Sequence, residues 1–75
     1  MADGHLSTYA ELADVLDNLP MLCRENRRRR GLSLRAAATE IGSSLSTVLR
    51  FEESGACNLK HAVAIMRWLD EGADR

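Results

Sequence analysis

Apolar residues in this chain recur at helical spacing only in short runs, and the runs are punctuated by Gly31, Gly42, Gly55 and Gly72. Glycine at the end of a periodic run is the usual way to stop a helix, so this spacing dictates several short helices rather than one long one. Period-two alternation of β-branched residues, an Asn-Gly hairpin signal, internal repeats and low-complexity tracts are all missing from the sequence. The expected fold is therefore all-α, a compact bundle of about five short helices.

The first run opens with Thr8 and Glu11 at capping-box spacing and carries Leu12, Val15, Leu16 and Leu19 on one face, which predicts a helix over residues 9–18. Pro20 lacks an amide hydrogen and suits the first turn of a second helix over residues 20–30, with Asn18 as its cap. Ser33 caps a third helix, Leu34–Ile41, and Ser44 a fourth over residues 45–53. Asn58 caps the last. There Leu59, Ala62, Val63, Ile65, Met66 and Leu69 form a stripe wide enough to meet more than one neighbour.

At 75 residues and 45% hydrophobic, the chain has material for one core and is small enough that self-association is a natural support. No apolar run approaches membrane-spanning length, and the amino terminus carries Asp3 and Glu11 rather than a basic region before an apolar stretch, so a cytoplasmic location is expected. Cys23 and Cys57 are too few for a disulfide scaffold, and free buried thiols are the expectation. The net charge of −1 conceals a division: residues 1–23 carry −4, residues 24–50 carry +5 and residues 51–75 carry −2. A basic middle between acidic ends suggests a polyanion-binding face, although a solvated helix surface has the same composition.

Residues 34–52 have the logic of a helix-turn-helix: an eight-residue helix, a turn at a glycine, and a second helix held against the first. Ala38 is small where the helices cross, Gly42 suits positive φ in the turn, and Ala37, Ile41, Val48 and Phe51 face inward. The face left over shows Ser44, Leu45, Ser46, Thr47, Leu49 and Arg50. Short side chains there let a helix enter the major groove, and one guanidinium has the reach and geometry to read guanine.

These residues resemble the Cro and lambda-repressor-like helix-turn-helix regulators, the XRE family, over residues 23–69. The resemblance rests on Cys23-Arg24-Glu25-Asn26-Arg27, Gly31-Leu32-Ser33, the helix end at Ala38, Ile41 and Gly42, and the run from Ser44 through Ser46-Thr47-Val48 to Arg50-Phe51-Glu52. It implies a recognition helix whose base-facing residues are Leu45, Ser46, Thr47, Leu49 and Arg50, with Ser44 capping near a phosphate. It also implies that Arg27 and Glu52 form a structural ion pair, and that the stretch from Asn58 to Leu69 is a closing core helix. Where the family commonly has a glutamine that meets phosphate, this chain has Leu34, which leaves that contact to Ser33 and Arg35. Arg28, Arg29 and Arg30 are further phosphate candidates, though at 100° per residue only one or two of them share a face.

The expected organisation is an extra amino-terminal helix in residues 1–19 and a DNA-binding domain in residues 20–72. The expected function is that of a small bacterial or phage transcriptional regulator, a repressor or Cro-like protein, acting as a homodimer on double-stranded operator DNA with no cofactor. The rival class is a protein-interaction module, such as the antitoxin of a toxin pair, docking a partner through Leu12, Val15, Leu16 and Leu19. Catalysis is not expected, because no serine has a motif-placed histidine and carboxylate and no glycine-rich phosphate loop is present. Cys57 and His61 stand four apart, too few ligands for a structural zinc, and His5 and His61 are read as surface residues.

Overall fold

A computed structural model describes residues 8–72, so Asp3, His5, Asp74 and Arg75 lie outside the described residues. The described chain is all-helical: α1 (Tyr9–Asp17), α2 (Leu19–Arg29), α3 (Leu34–Ile41), α4 (Leu45–Ser54) and α5 (Leu59–Gly72). α3 packs on α4, α2 packs on both α4 and α5, α3 also touches α5, and α1 leans on α2.

The helix starts follow from hydroxyl and amide side chains that accept otherwise orphaned backbone hydrogens. Thr8 Oγ1 accepts from the Glu11 amide at 3.1 Å, Ser33 Oγ from Ala36 at 3.0 Å, Ser44 Oγ from Thr47 at 3.2 Å and Asn58 Oδ1 from His61 at 2.7 Å. Asn18 departs from its expected role. Its side chain makes no cap bond to α2 but turns back, Nδ2 donating to the Asp14 carbonyl at 3.0 Å, so it finishes α1 instead of opening α2.

Gly42 ends α3 at φ +87°, with its amide donating to the Ala38 carbonyl at 2.9 Å. A Cβ built there meets nothing within 4 Å, so a substitution strains only the backbone. Gly42→Ala is expected to cost about 1 kcal/mol in urea denaturation, the penalty for an L-residue in the left-handed region. Gly72 is different from the expected helix terminator. It is buried inside the last turn of α5, where a Cβ would come within 3.1 Å of Asn26 Nδ2, so it allows α5 to approach α2 closely.

Leu19, Cys23, Ala37, Phe51, Ala62, Ile65 and Trp68 form the core, with Leu32, Ile41, Met66 and Leu69 packed around it. Ala38 and Val48 are also buried, as the helix-crossing pattern requires. Leu19 does not extend an α1 stripe: only 2% exposed, it belongs to α2 and to the core, because the break between the two helices reorients the chain after Asp17. α1 itself contributes no buried residue, with Leu12 and Val15 half-buried and Leu16 exposed. No helix among the described residues is long and apolar enough to cross a membrane.

Candidate nucleic-acid interface

α4 is held by its buried face. Val48, Phe51 and Glu52 are buried, while Ser46, Leu49, Arg50 and Glu53 are exposed, so the helix is anchored from behind and presents one polar side outward. Leu45 and Thr47 lie half-buried at the margins of that side. At the amino end three hydroxyls gather, Ser44 Oγ standing 2.7 Å from Thr47 Oγ1 and 3.4 Å from Ser46 Oγ. Thr47 is thereby tied to the cap, which leaves Ser46 and Leu49 as the outward side chains between that cap and Arg50. Glu53, which no motif singles out, adds an exposed carboxylate one turn further on and bears on how much of α4 a polyanion tolerates.

The anchor behind α4 is an ionic cluster around Glu52, whose side chain is only 4% exposed. Arg27 grips it with both forks, Nε to Oε2 at 2.9 Å and Nη2 to Oε1 at 3.0 Å, and its Nη1 also donates to the Leu32 carbonyl at 3.3 Å. Arg24 joins from the side, Nη2 donating to the Glu52 carbonyl at 2.9 Å. Its participation carries no sequence signal beyond one turn of separation from Arg27. The hydrogen bond to Glu52 holds the Arg27 guanidinium still more firmly protonated than usual.

Cys23 Sγ donates to Glu52 Oε2 at 3.8 Å, and burial, with the Glu52 charge beside it, pushes the thiol from 9.0 up to about 12. The native state therefore keeps a proton that the unfolded chain releases. That stabilisation is complete below pH 9 and is lost as the pH climbs from 9 toward 12. Cys57 is exposed, contrary to the expectation of two buried thiols, because it lies in the loop before α5. In a colorimetric thiol titration at mildly alkaline pH, native protein should expose Cys57 alone and react at Cys23 only after unfolding. Two fast-reacting thiols in the native state would contradict the packing of Cys23.

The other arginines divide between structure and surface. Arg30 is drawn away from the solvent: its forks meet Glu40 at 2.9 and 3.2 Å, its guanidinium carbon lies 6.0 Å from the Trp68 ring centroid, and its side chain is 15% exposed. It is a brace between α2, α3 and α5, not the phosphate arm expected from the sequence. Arg29 Nη2 is hydrogen-bonded to Asn26 Oδ1 at 2.6 Å, beside Leu22, Glu25 and Leu69. Arg28 and Arg35 are exposed, and Ser33 is exposed at the amino end of α3. Leu34, half-buried, offers nothing to a phosphate.

His61 is not the plain surface residue expected. Its ring packs edge-on against Phe51, with centroids 5.8 Å apart, and both ring nitrogens are shielded without a hydrogen-bond partner. Cys57 precedes the Asn58 cap, so the two do not share a helical face, although both line the same cleft. Among the described residues no three His, Cys, Asp or Glu side chains gather as a metal site. No protein-family model, curated protein or solved structure matches the chain.

Proposed function

We propose that this protein is a sequence-specific double-stranded DNA-binding regulator that lays the outward side of α4 in the major groove. The observation that carries the reading is the division of α4 into a buried anchor of Val48, Phe51 and Glu52 and an exposed side of Ser46, Leu49 and Arg50 beginning at a serine-capped amino end. A helix can serve as a probe only if its back is fixed, and this one is fixed by core packing and by a carboxylate clamped by arginine. Its front has short side chains that a groove admits, and the Leu49 side chain suits the methyl group of thymine. Helix amino ends and Arg35 and Arg28 supply donors and charge to the phosphates on either side. The pattern α3, Gly42 turn, α4 is in this reading a helix-turn-helix, and a two-fold pair of chains would set two such helices one turn of DNA apart.

Leu49→Glu tests this at the surface without touching the core, since Leu49 is 39% exposed. Fluorescence anisotropy on the preferred duplex is expected to show at least a roughly ten-fold loss of affinity, the scale of one lost base contact plus added repulsion from phosphate. Unchanged affinity with intact helicity would remove α4 from the interface.

A protein-interaction module on the same scaffold, such as an antitoxin, is the second reading. It is favoured by α1, which contributes no fully buried residue and leaves Tyr9 91% and Leu16 41% exposed. In that case Leu16→Asp would abolish partner capture and leave duplex binding unaltered, whereas a DNA regulator needs no partner to select its site.

A further inference from the structure

Four of the six large apolar side chains exposed among the described residues lie in two strips, Tyr9 and Leu16 on α1 and Leu59 and Val63 on α5. We propose that these strips cover each other between two copies of this chain, α1 of each copy lying antiparallel along α5 of the other. The pairing goes beyond the duplex-binding reading of α4 and holds or fails without nucleic acid.

α1 is poorly supported within its own chain. It leans on α2 and contributes no fully buried residue. Its nine residues are fewer than an isolated helix needs to persist in water, so its stability depends on a covered face. Tyr9, Ala13 and Leu16 recur at helical spacing on its outward side, and all three are exposed. On α5 the exposed Leu59 and Val63 and the half-buried Met66 recur in the same way, and Val63 and Met66 line a groove with Arg67, Asp70 and Glu71.

Charge selects the occupant. α1 carries Glu11, Asp14 and Asp17 and no base, so a second α1 laid against it would set acid against acid. At 100° per residue Asp14 and Asp17 fall on one flank of the α1 strip, and Lys60 and Arg67 fall on the corresponding flank of the α5 strip. Two helices facing each other antiparallel bring corresponding flanks together, which sets these acids beside these bases. Asp14, Asp17, Lys60 and Arg67 are all exposed, and none has an ion-pair partner among the described residues. The length fits as well: the nine residues of α1 match the stretch from Leu59 to Arg67, so Asp70 and Glu71 stand past its end. Because the exchange is reciprocal, one two-fold axis closes the pair and covers both strips of both copies.

The test is analytical ultracentrifugation at low salt, where surface charges are least screened, on the unaltered chain and two charge-reversed variants. One variant combines Asp14→Lys with Asp17→Lys, the other Lys60→Glu with Arg67→Glu. All four positions are exposed, and Asp17→Lys at the end of α1 and Lys60→Glu at the start of α5 suit the helix dipoles, so circular dichroism should show the helicity retained. The unaltered chain is expected to sediment as a concentration-dependent dimer. Each variant alone should associate at least about ten-fold more weakly, because like charges then face each other. An equimolar mixture of the two variants should recover the association, since each α1 again meets opposite charge. An unaltered chain that stays monomeric at every concentration would overturn the proposal and leave α1 to a partner of different sequence. A first variant that pairs as tightly as the unaltered chain would also overturn it, placing α5 against α5, as would a mixture that stays monomeric. None of these results decides whether α4 selects a duplex, which library selection reads separately.

Discussion

Glu52→Ala is expected to destabilise the domain by about 3–5 kcal/mol, because it leaves the Arg27 guanidinium, 15% exposed, without its counter-charge. For a chain of this size, where total stability is on the order of 5 kcal/mol, that is enough to leave much of the population unfolded at room temperature. Three further contacts fall with the carboxylate: the link to Arg24, the Cys23 thiol bond and the alignment that lets Arg27 reach the Leu32 carbonyl. The burial of the charge, and not the pairing alone, makes the single substitution severe. Replacing both partners, Arg27→Met with Glu52→Leu, should therefore be less harmful than Glu52→Ala, since no unpaired charge remains in the interior. Chemical denaturation followed by far-UV circular dichroism gives both values. A double variant as unstable as the single one would mean that the packing of the two stems, and not the charge, holds α2 to α4.

Trp68→Ala is expected to cost a similar amount, about 3–5 kcal/mol, by emptying the largest side chain from the core. The indole is 3% exposed, and its Nε1 donates to Glu40 Oε1 at 2.8 Å, the same oxygen that Arg30 meets. Trp68→Phe separates the two contributions. It keeps most of the apolar volume and removes the donor, so a loss of about 1 kcal/mol is expected for the hydrogen bond. If Trp68→Phe is as damaging as Trp68→Ala, the polar contact to Glu40 governs the junction of α2, α3 and α5, and the apolar account of Trp68 is wrong.

Four of the five helix starts among the described residues are legible, all but that of α2, because a cap is a local event. Thr8, Ser33, Ser44 and Asn58 each accept from an amide three residues on, and nothing distant is needed to see them. Periodicity likewise exposed the inward set of Ala37, Val48 and Phe51, since a face of a helix repeats within one segment. Leu19 defeats the same rule: it continues the period of the first helix across Asn18, and the change of direction there depends on packing that periodicity does not record.

What stayed hidden is long-range. Arg30, Glu40 and Trp68 lie 10 and 28 residues apart along the chain, and no spacing rule predicts that one carboxylate serves both. An arginine run advertises charge, but which of its members the fold consumes is decided by neighbours from other helices: Arg27 and Arg30 are bound inside, Arg29 meets Asn26, and Arg28 is left to solvent. The Arg27–Glu52 contact was expected from the family resemblance, and neither residue announces it alone. Gly72 reads as a helix end in the sequence, while its reason for being glycine is the Asn26 side chain 3.1 Å from where a Cβ would stand. His61 and Arg50 meet at one cleft only because α5 returns beside α4, which no local pattern encodes.

The central claim, that the exposed side of α4 reads sequence in the major groove, is tested most directly by selection from a random duplex library at physiological salt, with sequencing of the bound pool. Specificity separates a regulator from a protein that merely carries a basic face, and affinity alone does not. The account predicts enrichment of a two-fold symmetric site with half-sites about one helical turn apart, lost when Leu49→Glu is used in place of the unaltered chain. Binding without enrichment, or an enriched site that Leu49→Glu retains, would contradict it.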